Sequence, residues 1–379
     1  MTAVDQLHSE LDHSKTTRGA SPLAPNGSGR SYRGLAGVPL SVEPLNRKDF
    51  TSDQEVRWCP GCGDYAVLAA FQGFMPELGI KRENTVIVSG IGCAARFPYY
   101  VDTYGLHSIH GRATAIATGV ATTREDVAVF VVTGDGDALS IGGNHLIHVL
   151  RRNVNLTILL FNNRIYGLTK GQYSPTSELG KITKSTPMGS LDNPFNPVSL
   201  ALGAEATFVA RTIDSDRKHL TGVLRAAAAH RGSSLVEIYQ NCPIFNDGAF
   251  DAMKDPATSA DAIIPLNHGE PIRFGVEGHL GVVRDQQTGA FSVVEVADVG
   301  EDALVVHDAH QGDPSFAFGL SRLTDAGVLH RAPIGIFRDV EAPAYDDLAR
   351  QQVGLAASLG VDDDALQAVI NGGDTWTVR

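Results

Sequence analysis

The chain contains the run Val127-Ala128-Val129-Phe130-Val131-Val132-Thr133-Gly134-Asp135-Gly136-Asp137, which joins a buried strand to a sharp acidic turn. The fold class is inferred from this run. Residues 127–132 are continuously apolar, which is typical of a strand buried on both faces of a sheet. Residues 138–152 are predicted to form the next helix, with two arginines in its last turn that favour the helix dipole. A buried strand, a turn and a helix form the repeating unit of a parallel sheet that helices cover on both faces.

The same unit recurs along the chain, where apolar runs alternate with helical stretches. The predicted strands are 85–89, 156–161, 207–210 and 234–239, and the predicted helices are 112–123 and 215–231. We therefore expect an α/β fold with a doubly wound, mostly parallel sheet. Ligands of such sheets bind at the carboxyl ends of the strands.

Changes in residue composition and in the alternation of predicted strands and helices divide the chain into three predicted parts. Residues 1–45 form a disordered or partner-dependent tail, of which 21–37 is rich in Gly, Ser, Pro and Arg. Residues 46–255 form the alternating domain. Residues 256–379 form a C-terminal appendage, with short strands and turns over 274–296 and helices near 314–323 and 345–359.

Composition restricts the class of protein. The 379 residues are 43% hydrophobic and 20% charged, as in ordinary soluble globular proteins. No apolar run is long enough to span a membrane, and the polar N-terminus does not resemble a secretory signal, so a cytoplasmic location is expected. The net charge of −12 argues against binding to nucleic acid or to an anionic membrane.

The acidic turn suits a magnesium–diphosphate site. Its glycines allow backbone N–H groups to approach a phosphate, and Asp135 supplies the hard oxygen ligand that Mg²⁺ prefers. Asn163 follows Asp135 by 28 residues, which is the length of one helix and one strand, so both reach adjacent strand ends. The Asn163 amide oxygen and the Ile165 carbonyl then complete the ligands. A plain loop with an Asp cap stays open, whereas the EF-hand and nicotinamide-binding patterns are absent.

The four cysteines form one close pair, Cys59 and Cys62, and two distant singles, Cys93 and Cys242. In a cytosolic protein such cysteines usually bind metal or take part in catalysis. Their spacing suits a four-thiolate iron–sulfur cluster but is not that of a zinc ribbon. Zinc, a redox-active pair and simple buried thiols all remain open from spacing alone.

Five motifs occur together in a fixed order. They are Trp58-Cys59-Pro60-Gly61-Cys62-Gly63, Gly90-Ile91-Gly92-Cys93, His110-Gly111-Arg112-Ala113, Gly134-Asp135-Gly136-Asp137 and Asn163-Arg164-Ile165-Tyr166-Gly167-Leu168-Thr169-Lys170-Gly171-Gln172. In this order they resemble the β subunits of 2-oxoacid:ferredoxin oxidoreductases, above all the 2-oxoglutarate type. The resemblance covers roughly residues 50 to 255 and leaves out the tail and much of the appendage.

The resemblance implies the thiamine-diphosphate-binding fold and three cofactors. A 4Fe–4S cluster would be bound by Cys59, Cys62, Cys93 and Cys242. Magnesium would be bound by Asp135, Asn163 and the carbonyl of Ile165. Thiamine diphosphate would contact Ile91, Gly92, Cys93, Ala94, His110, Gly136, Asp137, Gly167 and Leu168. His110 carries no such signal outside its motif.

The reaction that the resemblance implies is oxidative decarboxylation of 2-oxoglutarate with coenzyme A, giving succinyl-CoA and CO₂ and reducing ferredoxin. A dicarboxylate substrate needs an additional cation, and Arg96 and Lys170 flank the expected site. We expect both to bind substrate carboxylates. A solvent-exposed loop charge is the plainer interpretation of Arg96.

The chain contains only the diphosphate-binding half of a thiamine site. The carboxylate that activates the aminopyrimidine is expected on an α subunit, in an α2β2-type heteromer that is inactive without it. Three alternatives stay open: the same chemistry on pyruvate or another 2-oxoacid, a cluster-free thiamine decarboxylase or synthase, and a non-catalytic metal-binding assembly subunit.

Overall fold

The structure, a computed structural model, describes residues 32–324, 327–358, 360, 363–373 and 375–378. Residues 1–31 of the predicted tail lie outside this part of the chain. Within the rest of that tail, Tyr32, Leu35 and Val38 are buried in the hydrophobic core, so this segment packs on the domain.

Among the described residues, the main sheet has eight strands in the order β2-β1-β3-β4-β6-β5-β11-β7. They are β1 (Thr85–Ser89), β2 (Tyr104–His107), β3 (Ala128–Gly134), β4 (Leu156–Asn162), β5 (Phe208–Ile213), β6 (Ser233–Tyr239), β7 (Ile263–Leu266) and β11 (Ala332–Asp339). Strands β1 to β6 are mutually parallel, and β11 joins β5 in the antiparallel sense. The predicted doubly wound, mostly parallel α/β fold is confirmed.

Helices cover both faces of this sheet. The helices of the described residues are α1 (Asp64–Leu78), α2 (Phe97–Tyr100), α3 (Ala113–Thr123), α4 (Asp135–Leu139), α5 (Gly143–Arg152), α6 (Pro197–Gly203), α7 (Arg217–Ala229), α8 (Asp251–Lys254), α9 (Ser259–Ala262), α10 (Val296–Val299), α11 (Ser315–Ser321), α12 (Tyr345–Ser358) and α13 (Asp363–Asn371). Along β3, Phe130 packs in one core cluster with α1 and α7, and Val131 packs in the other with α3 and α5. The strand is continuously apolar because both of its faces are buried.

The single helix predicted over 138–152 is two helices, α4 and α5, separated by a turn at 140–142. The chain turns sharply at Gly142, where a methyl group would lie 2.4 Å from the carbonyl oxygen of Asp137. The break falls at Gly142-Gly143, a pair of glycines that interrupts the apolar helical pattern within the predicted span.

The region beyond residue 255 belongs partly to the main sheet. Strands β7 and β11 extend that sheet, and a separate antiparallel sheet contains β8 (Arg273–Phe274), β9 (Leu280–Arg284) and β10 (Phe291–Glu295). Hydrogen-bonded strands from both sides of residue 255 thus share one sheet. The domain boundary near residue 255 stays a sequence-based proposal. None of the described helices is long and apolar enough to cross a membrane.

Candidate active site

The carboxyl ends of four neighbouring strands converge on one cavity. It is lined by the turns after β1, β3 and β4 together with the segment after β2. Its walls include Ile91, Gly92, Cys93, Ala94, His110, Asp135, Gly136, Asp137, Asn163, Ile165, Gly167 and Leu168. These are all the residues that the sequence assigns to thiamine diphosphate and magnesium; their roles as ligands remain predictions.

Asp135 lies at the base of this cavity and is almost completely buried. Its Oδ2 accepts hydrogen bonds from the hydroxyls of Ser174 and Thr176, both at 2.5 Å. Burial raises the pKa of Asp135 to about 6, although the two hydroxyl hydrogen bonds oppose this shift. A divalent cation next to this carboxylate would favour its charged form, because the positive charge of the cation would compensate for the hydration that burial removes.

Asn163 faces Asp135 across the turn that follows β4. Its Oδ1 accepts a hydrogen bond from the backbone N–H of Ile165 at 3.2 Å, and its Nδ2 donates to Oε1 of Gln240 at 2.9 Å. Arg164, between Asn163 and Ile165, has a left-handed backbone with φ of 58°. This conformation closes the turn tightly and keeps the 163–165 segment at the cavity wall.

Asp137 connects three turns of the cavity wall. Its Oδ1 accepts hydrogen bonds from the backbone N–H groups of Ile91 at 3.1 Å and Gly111 at 2.8 Å, and it lies 2.9 Å from Nδ1 of His110. Its Oδ2 accepts a hydrogen bond from the Thr133 hydroxyl at 2.8 Å. Both carboxylate oxygens are therefore engaged within the protein, and this side chain fixes the shape of the cavity.

Tyr166 packs directly over the acidic turn. Its hydroxyl donates to the carbonyl of Gly136 at 3.0 Å, and a methyl group at Gly136 would lie 2.1 Å from Cε1 of the Tyr166 ring. Only glycine fits at this position, because the tyrosine ring fills the space that a side chain would need.

A second cavity adjoins the first. Its walls include all four cysteines and both proposed substrate cations, namely Cys59, Cys62, Cys93, Cys242, Arg96 and Lys170. Four residues line both cavities, namely Cys93, Asn163, Gly167 and Leu168. The fold therefore places the cysteines and the predicted cofactor pocket on two sides of one wall.

The four thiols gather from distant parts of the chain. A methyl group at Gly167 would lie 3.6 Å from the sulfurs of both Cys93 and Cys242. Burial, together with the nearby Asp64, Cys242 and Cys59, raises the pKa of Cys93 to about 11. Burial also raises the pKa of Cys62. The free thiols of Cys62 and Cys93 are therefore poorly ionised, and a positive metal centre would reverse this.

The cysteine turns are held in place by their neighbours. The indole N–H of Trp58 donates to the carbonyl of Cys93 at 2.8 Å, which joins the Cys59 loop to the Cys93 turn. Cys59 is exposed, Cys242 is buried, and the other two are half-buried. Within the described ranges, no three His, Cys, Asp or Glu side chains are close enough to bind a single metal ion.

The two proposed substrate cations sit differently in this second cavity. Arg96 is half-buried, and its Nη1 donates to the carbonyl of Arg57 at 2.9 Å. Lys170 is exposed and has a left-handed backbone with φ of 75°. A lysine in this conformation is strained relative to glycine, and such strain concentrates at functional sites.

Several residues of the site were not predicted from the sequence. Ser174 and Thr176 follow the Asn163 turn in a segment without periodicity, and only the structure places their hydroxyls on Asp135. Gln240 does carry a signal, because a polar residue directly after a buried strand lies where ligands of such sheets bind.

Comparisons with known proteins identify the family of the chain. Residues 90–238 match the family described as the C-terminal TPP binding domain of thiamine pyrophosphate enzymes. The chain is 64% identical over 344 residues to the 2-oxoglutarate oxidoreductase subunit KorB of Mycobacterium tuberculosis, covering 90% of this chain and 91% of the relative. The chain is a β subunit of the 2-oxoacid:ferredoxin oxidoreductase family.

Two further members of this family extend the comparison. The 2-oxoglutarate synthase subunit KorB of Archaeoglobus fulgidus is 43% identical over 186 residues, which are 49% of this chain and 69% of that protein. A solved structure of 2-oxoglutarate:ferredoxin oxidoreductase from Magnetococcus marinus, with 2-oxoglutarate, coenzyme A and succinyl-CoA bound, superposes with a TM-score of 0.69 at 33% identity. It covers 88% of this chain and 99% of that chain.

Proposed function

We propose that this β subunit binds thiamine diphosphate, Mg²⁺ and a 4Fe–4S cluster, and that with an α subunit it converts 2-oxoglutarate and coenzyme A to succinyl-CoA and CO₂ while reducing ferredoxin. The observation that carries the proposal is the wall shared by the two cavities, with Cys93 in both linings. A cofactor that releases electrons and a cluster that accepts them need such proximity.

The donor set of the second cavity suits an iron–sulfur cluster. All four cysteines line the cavity, and an N–H group of Gln240 points to the sulfur of Cys62 at 3.2 Å. Ligands of a cluster bind different metal atoms and therefore lie further apart than ligands of one ion.

The first cavity suits a magnesium-bound diphosphate. Asp135 and Asn163 offer the carboxylate and amide oxygens that Mg²⁺ prefers, and the Gly134–Asp137 turn opens α4 beside them. When bound, thiamine diphosphate supplies the electron sink that decarboxylation requires. The residues of the chain would orient the Mg²⁺ ligands. Asp137 would hold the Ile91 and His110 turns together, and Tyr166, which packs on the acidic turn at Gly136, would limit the access of water from that side.

Arg96 and Lys170 are proposed to bind the carboxylates of 2-oxoglutarate. Both line the cavity that contacts the shared wall, and the guanidinium of an arginine can bind a carboxylate in bidentate fashion. A monocarboxylate such as pyruvate lacks the second carboxylate. The names of the relatives from Mycobacterium tuberculosis and Archaeoglobus fulgidus also favour 2-oxoglutarate.

Cofactor content and partner dependence test the proposal together. The chain is purified anaerobically with and without its α subunit, analysed for iron and sulfide, and studied by electron paramagnetic resonance after addition of 2-oxoglutarate. We expect about four iron atoms per β subunit, because one 4Fe–4S cluster is proposed. We also expect a radical or reduced-cluster signal only in the complex. Zinc in place of iron, or full turnover by the isolated chain, would contradict the proposal.

The substrate assignment has its own test in the Arg96→Ala variant. We expect the KM for 2-oxoglutarate to rise about tenfold to a hundredfold, because a charged hydrogen bond of about 1.5–3 kcal/mol is lost. The KM for pyruvate should change little. Steady-state kinetics with both acids measures the difference, and equal effects on the two would rule out this role for Arg96.

A further inference from the structure

Gln240 connects the two cofactor sites through one amide group. It follows β6 directly and is 1% exposed. Its Nε2 lies 3.2 Å from the sulfur of Cys62 and 2.5 Å from the carbonyl oxygen of Asn241, and its Oε1 accepts a hydrogen bond from Nδ2 of Asn163 at 2.9 Å. A proposed cluster ligand and a proposed magnesium ligand thus contact opposite ends of the same side chain.

The surroundings fix which way this amide points. The carbonyl oxygen of Asn241 can only accept, so the NH₂ group of Gln240 must face it, with its second hydrogen directed to Cys62. The oxygen of Gln240 then faces Asn163 and requires the NH₂ group of Asn163. The Oδ1 atom of Asn163 is consequently turned to the opposite side, where it also accepts from the backbone N–H of Ile165.

We propose that Gln240 is a positioning residue for both cofactors, which rests on the proposed function. Its N–H···S bond to Cys62 stabilises the more negative, reduced cluster and so raises the reduction potential. Its oxygen holds the Asn163 amide with Oδ1 available to Mg²⁺. Outer contacts of this kind typically change metal affinity by 10- to 100-fold when they are lost.

Two substitutions separate the two roles. Gln240→Met has a similar length but neither donates nor accepts. We expect it to lower the cluster potential and to weaken Mg²⁺-dependent binding of thiamine diphosphate about tenfold. Gln240→Glu keeps an acceptor for Asn163 but loses the donor to sulfur, because a carboxyl group carries at most one hydrogen and the Asn241 carbonyl accepts it. We expect it to lower the potential while leaving cofactor affinity within about twofold of wild type.

Gln72→Met is the matched control. Gln72 is also buried, and its Nε2 donates to the carbonyl of Tyr100 at 2.9 Å. Its hydrogen bonds do not reach the cysteines or Asn163. Redox titration followed by electron paramagnetic resonance gives the potential, and calorimetry gives the cofactor affinity. Both methionine variants lose a hydrogen bond in the core and should be destabilised. Only Gln240→Met should change the reduction potential of the cluster, because only Gln240 contacts a cysteine sulfur.

A measurement on the unmodified enzyme guards against variants that lose the cluster. Labelling glutamine side chains with ¹⁵N should give a nitrogen coupling in pulsed electron paramagnetic resonance of the reduced cluster. Absence of this coupling, or an unchanged potential in Gln240→Met, would overturn the inference. Wild-type enzyme without iron and sulfide would instead overturn the proposed function itself.

Discussion

At the scale of single residues, the buried carboxyl of Asp135 links metal binding to pH. Its pKa is about 6 in the folded chain, above the ordinary value of 3.8, because burial disfavours the charge. Between these two values the folded chain binds more protons than the unfolded chain. The free energy of unfolding of the metal-free chain should therefore decrease as pH rises through this window, by on the order of 3 kcal/mol.

Magnesium should reverse this dependence, because it binds only the ionised carboxylate. We expect Mg²⁺-dependent binding of thiamine diphosphate to weaken as pH falls below about 6, where Asp135 gains its proton. Calorimetry from pH 5 to 8 measures the binding, and chemical denaturation of the metal-free chain measures stability. Asp135→Asn is the control and should lack this component of the pH dependence. A pH-independent affinity in wild type would contradict the assignment.

The backbone conformation of Lys170 lowers the stability of the fold at a residue that we propose binds the substrate. Its φ of 75° costs a residue with a Cβ about 1–2 kcal/mol, a cost that glycine avoids. We expect Lys170→Gly to be up to about 1 kcal/mol more stable, since the added freedom of glycine in the unfolded chain offsets part of the gain. The same variant should show a raised KM for 2-oxoglutarate.

Lys184→Gly provides the comparison for Lys170→Gly. Lys184 is exposed and is not among the described residues with positive φ. This control should gain no stability and should keep the wild-type KM. Urea denaturation and steady-state kinetics give the two quantities. If Lys170→Gly were less stable than wild type, or kept its KM, the strain would have no functional meaning.

At the scale of elements, two helical glycines differ in what surrounds them. Gly136 in α4 has no room for a methyl group beside the Tyr166 ring, whereas Gly119 in α3 has no atom within 4 Å of that position. Alanine normally stabilises a helix by about 0.5–1 kcal/mol relative to glycine. We expect this gain for Gly119→Ala, and a loss of about 1–3 kcal/mol with weakened cofactor binding for Gly136→Ala.

Thermal unfolding and calorimetry with thiamine diphosphate compare the two alanine variants. The Tyr166→Leu exchange should partly restore the stability of Gly136→Ala, because it removes the ring that collides with the new methyl group. Equal stability of the two single variants would show that the turn at Gly136 can relax without displacing Tyr166.

The elements also show how far the sequence determines the site. The strands β1 and β4 were predicted within one residue, because strands buried on both faces are continuous apolar runs. Strand β11 was not predicted, since its Pro333 and Gly335 weaken the pattern and its place is set by pairing with β5. Asp135 and Asn163 were predicted from their positions after strands, whereas the thiamine contacts were predicted from the family resemblance. Ser174 and Gln240 were not, because their roles depend on hydrogen-bond partners distant in sequence.

At the scale of the whole molecule, the described part beyond residue 255 stabilises the sheet that carries the site. Strand β11 covers the edge of β5, and Phe337 and Ile334 on it are buried. The buried ion pair between Arg211 and Glu237 also depends on this region, because Arg211 donates to the carbonyl of Pro333 at 3.2 Å. The predicted appendage is thus part of the support of the main sheet.

Truncation tests this dependence. A chain that ends at residue 255 loses β7 and β11 and exposes the β5 edge with its apolar neighbours, so we expect it to be largely insoluble or unfolded. Among the described elements, a chain that ends at residue 358 loses only α13, whose Leu366, Val369 and Ile370 are exposed, and it should unfold within a few degrees of the full chain. Circular dichroism and thermal melts measure both. A stable, cooperatively folded 1–255 chain would show that the sequence-based boundary marks an independent domain.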